Sequence, residues 1–220
     1  MKSLIVLAIL LVSFVCASAQ TEQAPLQEKE FDYKNWIYKG VFDGKEVNLR
    51  EFTVGKKLVL VVYFAPWCGN WKHEAPFAQK MYEKYKSAGL DIIGVGEYGS
   101  IDEMKANLTQ FKITFPTVYE SLQLDEREKT LHYNYRKQLG DTRKWGSPFN
   151  IFLEPINLKK DGNVLTKKSF VAVGELIEPE AEKFIRQKLG LPAEEAKAAN
   201  NKKEIEACEG EKKAVEFKKP

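Results

Sequence analysis

The 220-residue chain has little of what would name a chemistry outright. It holds three cysteines and two histidines. That is too few for a disulfide-stapled scaffold and, with no paired-cysteine spacing, argues against a closed metal site. Its charges nearly cancel, 34 Lys and Arg against 31 Asp and Glu for a formal net charge of +3, so no field draws it to nucleic acid or an anionic membrane surface. No internal repeat occurs, no residue pattern calls for a cofactor, and Gly94-Val95-Gly96 is too short to cradle a phosphate. The apolar run Leu4 to Val15 is too short to span a bilayer. Set behind Lys2 and followed by Ala17-Ser18-Ala19, it reads as a secretory signal peptide over residues 1–19, cleaved after Ala19. Val15 and Phe14 precede Cys16 where lipid attachment wants a small residue, which argues against an anchor there. Export to a periplasm or the outside leaves Cys68 and Cys208, in a compartment where a disulfide persists.

What is present suits one globular domain, with 44% hydrophobic and 30% charged residues. Residues 20–30 are polar without hydrophobic period and read as a flexible leader, with order beginning near Phe31. The stretch from Trp36 to Leu49 offers two short β-like runs around Asp43-Gly44, which predicts an N-terminal β-hairpin closed by a two-residue turn. Leu58 to Phe64 is an apolar run rich in β-branched residues, as a central strand covered on both faces would be. Trp71 to Ala88 follows as an amphipathic helix interrupted by Pro76 and stopped by Gly89. Leu90 to Val95 reads as a second strand and Ile101 to Phe111 as a second helix capped by Ser100. This alternation predicts a βαβ unit. Phe115 to Tyr119 suggests a short strand, and residues 122–144 read as a charged, weakly helical insertion over the sheet edge. Phe149 to Glu154, Val164 to Val173 and Pro179 to Leu189 predict two antiparallel strands and a closing helix, so the folded domain runs over residues 31–190. Residues 191–220 form a charged tail that cannot bury a core.

Chemistry concentrates where the central strand ends, at Ala65-Pro66-Trp67-Cys68-Gly69-Asn70-Trp71-Lys72. A cysteine at a helix N-terminus sits beside unpaired N–H groups and the positive end of the helix dipole, both of which favour thiolate over thiol. Lys72 adds a nearby positive charge. The plain alternative is a small apolar side chain packed under Trp67. His73 lies about 140° round the helix from Cys68 and reads as an exposed helix residue rather than a base. His132 falls in the charged insertion. Trp67 and Trp71 offer an aromatic platform for a peptide, or simple packing. Asn107-Leu108-Thr109 matches a glycosylation sequon but falls in mid-helix.

These residues resemble the thioredoxin-like superfamily, and within it the exported redoxins similar to the thiol-disulfide oxidoreductases of cytochrome c maturation. The resemblance covers residues 36–189 and implies an α/β, thioredoxin-like fold whose central mixed β-sheet is flanked by helices. The family pattern Trp-Cys-x-x-Cys-Lys matches Trp67 to Lys72 except that Trp71 stands at the second cysteine. The resemblance further implies that Pro148, preceded by Ser147, is the cis-proline lying against the thiol, and that Glu97 is a glutamate following the next parallel strand. Cys68 would then be the nucleophile, with Trp67, Gly69, Asn70, Trp71, Ser147 and Pro148 binding substrate and Lys72 and Glu97 supporting it.

Dithiol exchange needs a neighbouring thiol to release the substrate, and Cys68 has none beside it. Three routes stay open: release by an external thiol reductant, a one-cysteine peroxidase passing through sulfenic acid, or resolution by Cys208. A flexible tail from Gly190 to Cys208 spans roughly 20 to 25 Å, enough to reach back over a small domain. The chain departs from the peroxiredoxin pattern, which places a Thr between an upstream Pro and its Cys. The expectation is an exported single-cysteine thiol oxidoreductase acting on protein thiols or disulfides. The competing class is a redox-inactive module that holds an extended peptide on the same surface.

Overall fold

The computed structural model describes residues 22–192. The stretch expected to be a signal peptide, with Cys16, and nearly all of the expected charged tail, with Cys208, lie outside them. In chain order the elements are β1 (Gln23–Ala24), β2 (Gln27–Lys34), β3 (Ile37–Gly40), β4 (Glu46–Asn48), α1 (Leu49–Phe52), β5 (Leu58–Phe64), α2 (Gly69–Tyr85), β6 (Leu90–Gly96), α3 (Ile101–Gln110), β7 (Thr117–Tyr119), α4 (Leu131–Gln138), β8 (Phe149–Leu153), β9 (Val164–Ala172), β10 (Glu175–Leu176) and α5 (Glu178–Leu189).

Eight strands make one mixed sheet in the order β2-β9-β8-β5-β6-β7-β3-β4. β5, β6 and β7 run parallel, and β8 returns antiparallel beside β5. β5 is the centre because each of its residues is apolar and buried, so neither face has to meet water. Its side chains alternate. Leu58, Leu60, Val62 and Phe64 join a core with Trp71, Ala75 and Ala78 of α2, Met104 and Leu108 of α3, and Ile185 of α5. Val59, Val61 and Tyr63 face the other way, onto Tyr33, Trp36 and Tyr135. At roughly 1.5–3 kcal/mol for each fully buried aliphatic or aromatic side chain, this strand anchors both layers and fixes where its C-terminal end, and hence Cys68, must lie.

Two expectations are corrected and a third is sharpened. The leader is not loose over its described part: Gln23–Ala24 pairs with β10, and Gln27 onward pairs antiparallel with β9 along the sheet edge. An edge strand with one wet face needs ladder hydrogen bonds rather than apolar side chains, and here Glu28 also pairs with Lys168 at 2.6 Å. The hairpin forms between β3 and β4, but its turn is longer than two residues: Gly40 N donates to Lys45 O at 2.8 Å, and Asp43 Oδ1 accepts from Lys45 N. The stretch expected to lie over the sheet edge does meet edge strand β2 through α4, and it contributes to the core, since His132, Tyr135 and Arg136 of α4 are all buried. The Tyr135 ring meets Phe31 and Tyr33, and its hydroxyl accepts from Lys34 N at 3.0 Å.

Candidate functional site

β5 delivers the chain to a short turn, and Cys68 is the N-cap of α2, with extended backbone at φ −71° and ψ 126°. Its own side chain makes no capping bond. The thiol turns instead to the facing loop, where Sγ–H donates to Ser147 O at 3.1 Å. That loop carries a cis peptide bond between Ser147 and Pro148, as the resemblance implies. Ser147 Oγ accepts from Ala65 N at 2.9 Å, so the loop is tied to the end of β5 immediately before the cysteine. Cys68 is half-buried, Gly69 exposed and Asn70 half-buried, so the sulfur sits at the rim of the domain.

The two tryptophans of the motif part company. Trp67 is 38% exposed, its Nε1 donates to Tyr98 O at 2.9 Å, and its ring meets Trp145 edge-on at 5.4 Å. Arg127 and Lys144 stand over the Trp145 ring at 5.4 and 5.1 Å, adding cation–π attraction. Trp71, expected to help bind substrate, is fully buried: it packs on Phe64 at 4.7 Å, and its Nε1 donates to Asn107 Oδ1 at 2.8 Å. A ring with no solvent face cannot hold a peptide, so the exposed aromatic wall is Trp67 with Trp145. Asn107 is committed as well, its Nδ2 donating to Pro66 O, which removes the sequon from the surface. Lys72 and His73 are exposed on α2, and His73 Nδ1 lies 2.6 Å from Glu175 Oε2.

Two buried carboxyls flank the site. Glu97 has no exposure and accepts from Ser121 Oγ at 2.5 Å. Burial, then the charge and hydrogen bonding of Glu120, push it well above the usual carboxylate range. Its partners lie on the β7 and α4 side of the sheet. The second is Glu74 of α2, which sequence reasoning passed over. Burial pushes Glu74 up to about 8, against hydrogen bonds from Leu176 N at 2.6 Å and Asn150 Nδ2 at 3.1 Å to its Oε2. Its Oε1, Asn150 Oδ1 and Glu175 Oε1 are buried without partners. A protonated, neutral Glu74 spares these buried oxygens an uncompensated charge. The signal was in the sequence: Trp71, Glu74, Ala75 and Ala78 fall at helical spacing on one buried stripe.

His132 carries no role in the sequence reading because it falls among charged neighbours in a weakly helical stretch. It is fully buried, stacked on Tyr63 at 5.0 Å, with Nδ1 3.0 Å from Tyr98 Oη and Nε2 3.2 Å from Gly146 O. Burial, then the Arg136 charge, hold its pKa well below the ordinary value, so the ring is neutral. Arg136 is anchored by Asp141 at 2.7 Å. Burial alone would raise Asp141, but hydrogen bonds from Arg143 and Arg136 outweigh it and hold the carboxyl at about 2. Among the described residues no group of three or more His, Cys, Asp or Glu could hold a metal ion, and no helix is long and apolar enough to cross a membrane.

A mixed sheet with a cysteine at the start of α2, facing a cis-proline loop, defines a thioredoxin-like protein. The AhpC/TSA family model matches residues 14–136, more than half of the chain, and the chain belongs to that family. Among curated relatives it is 30% identical over 138 residues to "Probable glutathione peroxidase 3, mitochondrial" of Arabidopsis thaliana, covering 57% of this chain and 63% of the relative. It is 27% identical over 78 residues to "Thiol-disulfide oxidoreductase ResA" of Bacillus thuringiensis, covering 36% of this chain and 44% of that protein. The chain thus spans less than two thirds of either relative. Solved structures with the same fold include a putative thiol:disulfide interchange protein DsbE from Chlorobium tepidum, with TM-score 0.51 and 19% identity over 75% of this chain and 99% of that one. Another is the dsbF protein of MTB, with TM-score 0.51 and 17% identity over 70% of this chain and 95% of that one.

Proposed function

We propose that the protein is an exported single-cysteine thiol oxidoreductase that exchanges disulfides with protein or peptide substrates through Cys68. The observation that carries this reading is the 3.1 Å hydrogen bond from Cys68 Sγ–H to Ser147 O. It puts the sulfur against the backbone of the cis-proline loop, where an extended peptide can lie strand-like with its own sulfur in reach. Once the thiol ionises it stops donating, and the Ser147 carbonyl is free to accept an N–H of the incoming chain. Cys68–S⁻ then attacks one sulfur of a substrate disulfide R–S–S–R′, forming Cys68–S–S–R and expelling R′–S⁻. An external low-molecular-weight thiolate G–S⁻ attacks the substrate sulfur of that mixed disulfide, returning Cys68–S⁻ and leaving R–S–S–G. Trp67 and Trp145 would flank the bound chain, with Gly69 and Asn70 at its edge and the buried acids Glu74 and Glu97 supporting the fold around it.

The test is intact-mass detection of the mixed disulfide with a disulfide-bonded peptide, and turnover when glutathione is supplied. Cys68→Ser should abolish both, while Cys208→Ser should leave both intact. A second reading, a peroxidase, draws on the relatives named glutathione peroxidase. There Cys68–S⁻ attacks R–O–OH, giving Cys68–SOH and, with a proton, R–OH, and two external thiols then restore the thiol with loss of water. Faster consumption of hydroperoxide than of peptide disulfide would select it.

A further inference from the structure

Helix α4 lies within the charged stretch expected over the sheet edge, and its inward side is tied to the loop that faces the thiol. His132 and Arg136 stand one turn apart and are both buried. Arg136 donates from Nη1 to Trp145 O at 2.9 Å and from Nη2 to Arg143 O. His132 Nε2 meets Gly146 O at 3.2 Å. A carbonyl only accepts, so Nε2 carries the proton and Nδ1 is left to accept the Tyr98 O–H at 3.0 Å. The carbonyls of 143, 145 and 146 are therefore held from one helix face, and the next one along, Ser147 O, holds the thiol. There is no slack between loop and helix: Gly146 has φ +60°, and a Cβ there would run into the Arg136 guanidinium.

Tyr98 ties the second wall to the same histidine. It sits at φ 58°, a conformation non-glycine residues seldom adopt, and persists there because it is bonded on three sides. Its N–H donates to Ser121 Oγ at 3.1 Å, its hydroxyl meets His132, and its carbonyl takes Trp67 Nε1 at 2.9 Å. One imidazole thus bridges the loop that presents Ser147 and the residue that orients Trp67. A purely space-filling ring on Tyr63 would need neither nitrogen.

We infer that His132 is a positioning residue for the thiol site, a role that rests on the thiol-exchange reading above. It sets the approach of the Ser147 carbonyl to Cys68 and, through Tyr98, the tilt of Trp67. It therefore governs reaction of Cys68 with substrates that lie along the loop, and leaves reaction with a reagent too small to touch the loop unchanged.

The experiment uses the full chain carrying Cys208→Ser, compared with the same chain bearing His132→Phe, His132→Gln or Tyr98→Phe. His132→Phe keeps the ring and loses both ties, whereas a glutamine amide can donate and accept. Two rate constants are measured for each: alkylation of Cys68 by iodoacetamide, and release of thionitrobenzoate from an extended cysteine peptide activated as its thionitrobenzoate mixed disulfide. The expected result is alkylation within about twofold throughout, a peptide rate lowered at least about tenfold in His132→Phe, and a large part of that loss restored in His132→Gln, since a displacement of about 1 Å can cost ~10²-fold. Should His132→Phe fail to fold, Tyr98→Phe decides, with a peptide rate about threefold lower expected at unchanged alkylation. A parent chain no faster with the peptide than free cysteine overturns the thiol-exchange reading and this role with it. A fast parent chain whose variants keep the peptide rate, or lose both rates together, overturns the role of His132 alone.

Discussion

Replacing Glu74 by glutamine should make the protein more stable at neutral pH, by an amount that grows with pH. Glu74 has an ordinary value of 4.5 and is pushed by burial to about 8 in the folded chain. Between those values the folded state holds a proton that the unfolded state has released, so raising the pH draws stability out of the fold. Stability from this group is fully present below 4.5 and is lost as the pH climbs through about 8. With 1.36 kcal/mol per unit, the loss between pH 5 and pH 7.5 comes to about 3 kcal/mol. Glutamine keeps an oxygen for Leu176 N and Asn150 Nδ2 and has nothing to titrate. Urea unfolding of parent and Glu74→Gln chains at pH 5, 6, 7 and 7.5 gives the difference directly, and groups common to both, such as His132 and Glu97, cancel in it. The gap should widen by about 3 kcal/mol in favour of the variant across that range. Parallel curves, or a gap that widens toward acid, would refute the assignment of Glu74 as a buried, neutral acid.

Two further outcomes follow from the same packing. Trp71→Cys, which would create the spacing of a dithiol motif, should cost about 3–5 kcal/mol in chemical denaturation, because it empties the ring's place against Phe64 and leaves Asn107 Oδ1 unpaired; a variant as stable as its parent would contradict the core role of Trp71. Asp141→Ala should cost about 3–5 kcal/mol by stranding the buried Arg136 charge, and its effect should vanish on acidification below pH 2, where the native carboxylate is itself neutralised; an exposed-pair cost below about 1 kcal/mol in thermal or urea unfolding would contradict the burial argument.

The parts of this fold that read plainly from sequence are those where apolar pattern and burial coincide. β5 is apolar at every position and buried on both faces, α3 carries its Ser100 cap with Glu103 completing the box, and Ser147-Pro148 is cis as the family resemblance implies. What escaped are polar residues placed where apolar ones are expected. Residues 23–30 lack hydrophobic period because an edge strand is held by backbone bonds, which leave no mark in side-chain pattern. Helix α4 hides a buried stripe of His132, Tyr135 and Arg136 behind charged neighbours, and the buried arginine shows only once Asp141 is seen across from it. Glu74 was passed over because a carboxylate on a helix is usually taken as solvated, although it shares a stripe with Trp71 and Ala78. Trp71 was assigned to the substrate surface from its place in a motif, whereas the helical period alone turns it inward.

The central claim is that Cys68, facing the cis-proline loop, exchanges disulfides with an extended chain. The most direct measurement incubates the Cys208→Ser protein with a disulfide-bonded peptide under limiting glutathione, and follows by intact mass the adduct on Cys68 and its turnover. The account predicts a peptide adduct that appears before product and is absent from Cys68→Ser. A chain that turns over no peptide, or a Cys68→Ser variant that turns it over equally well, would contradict it.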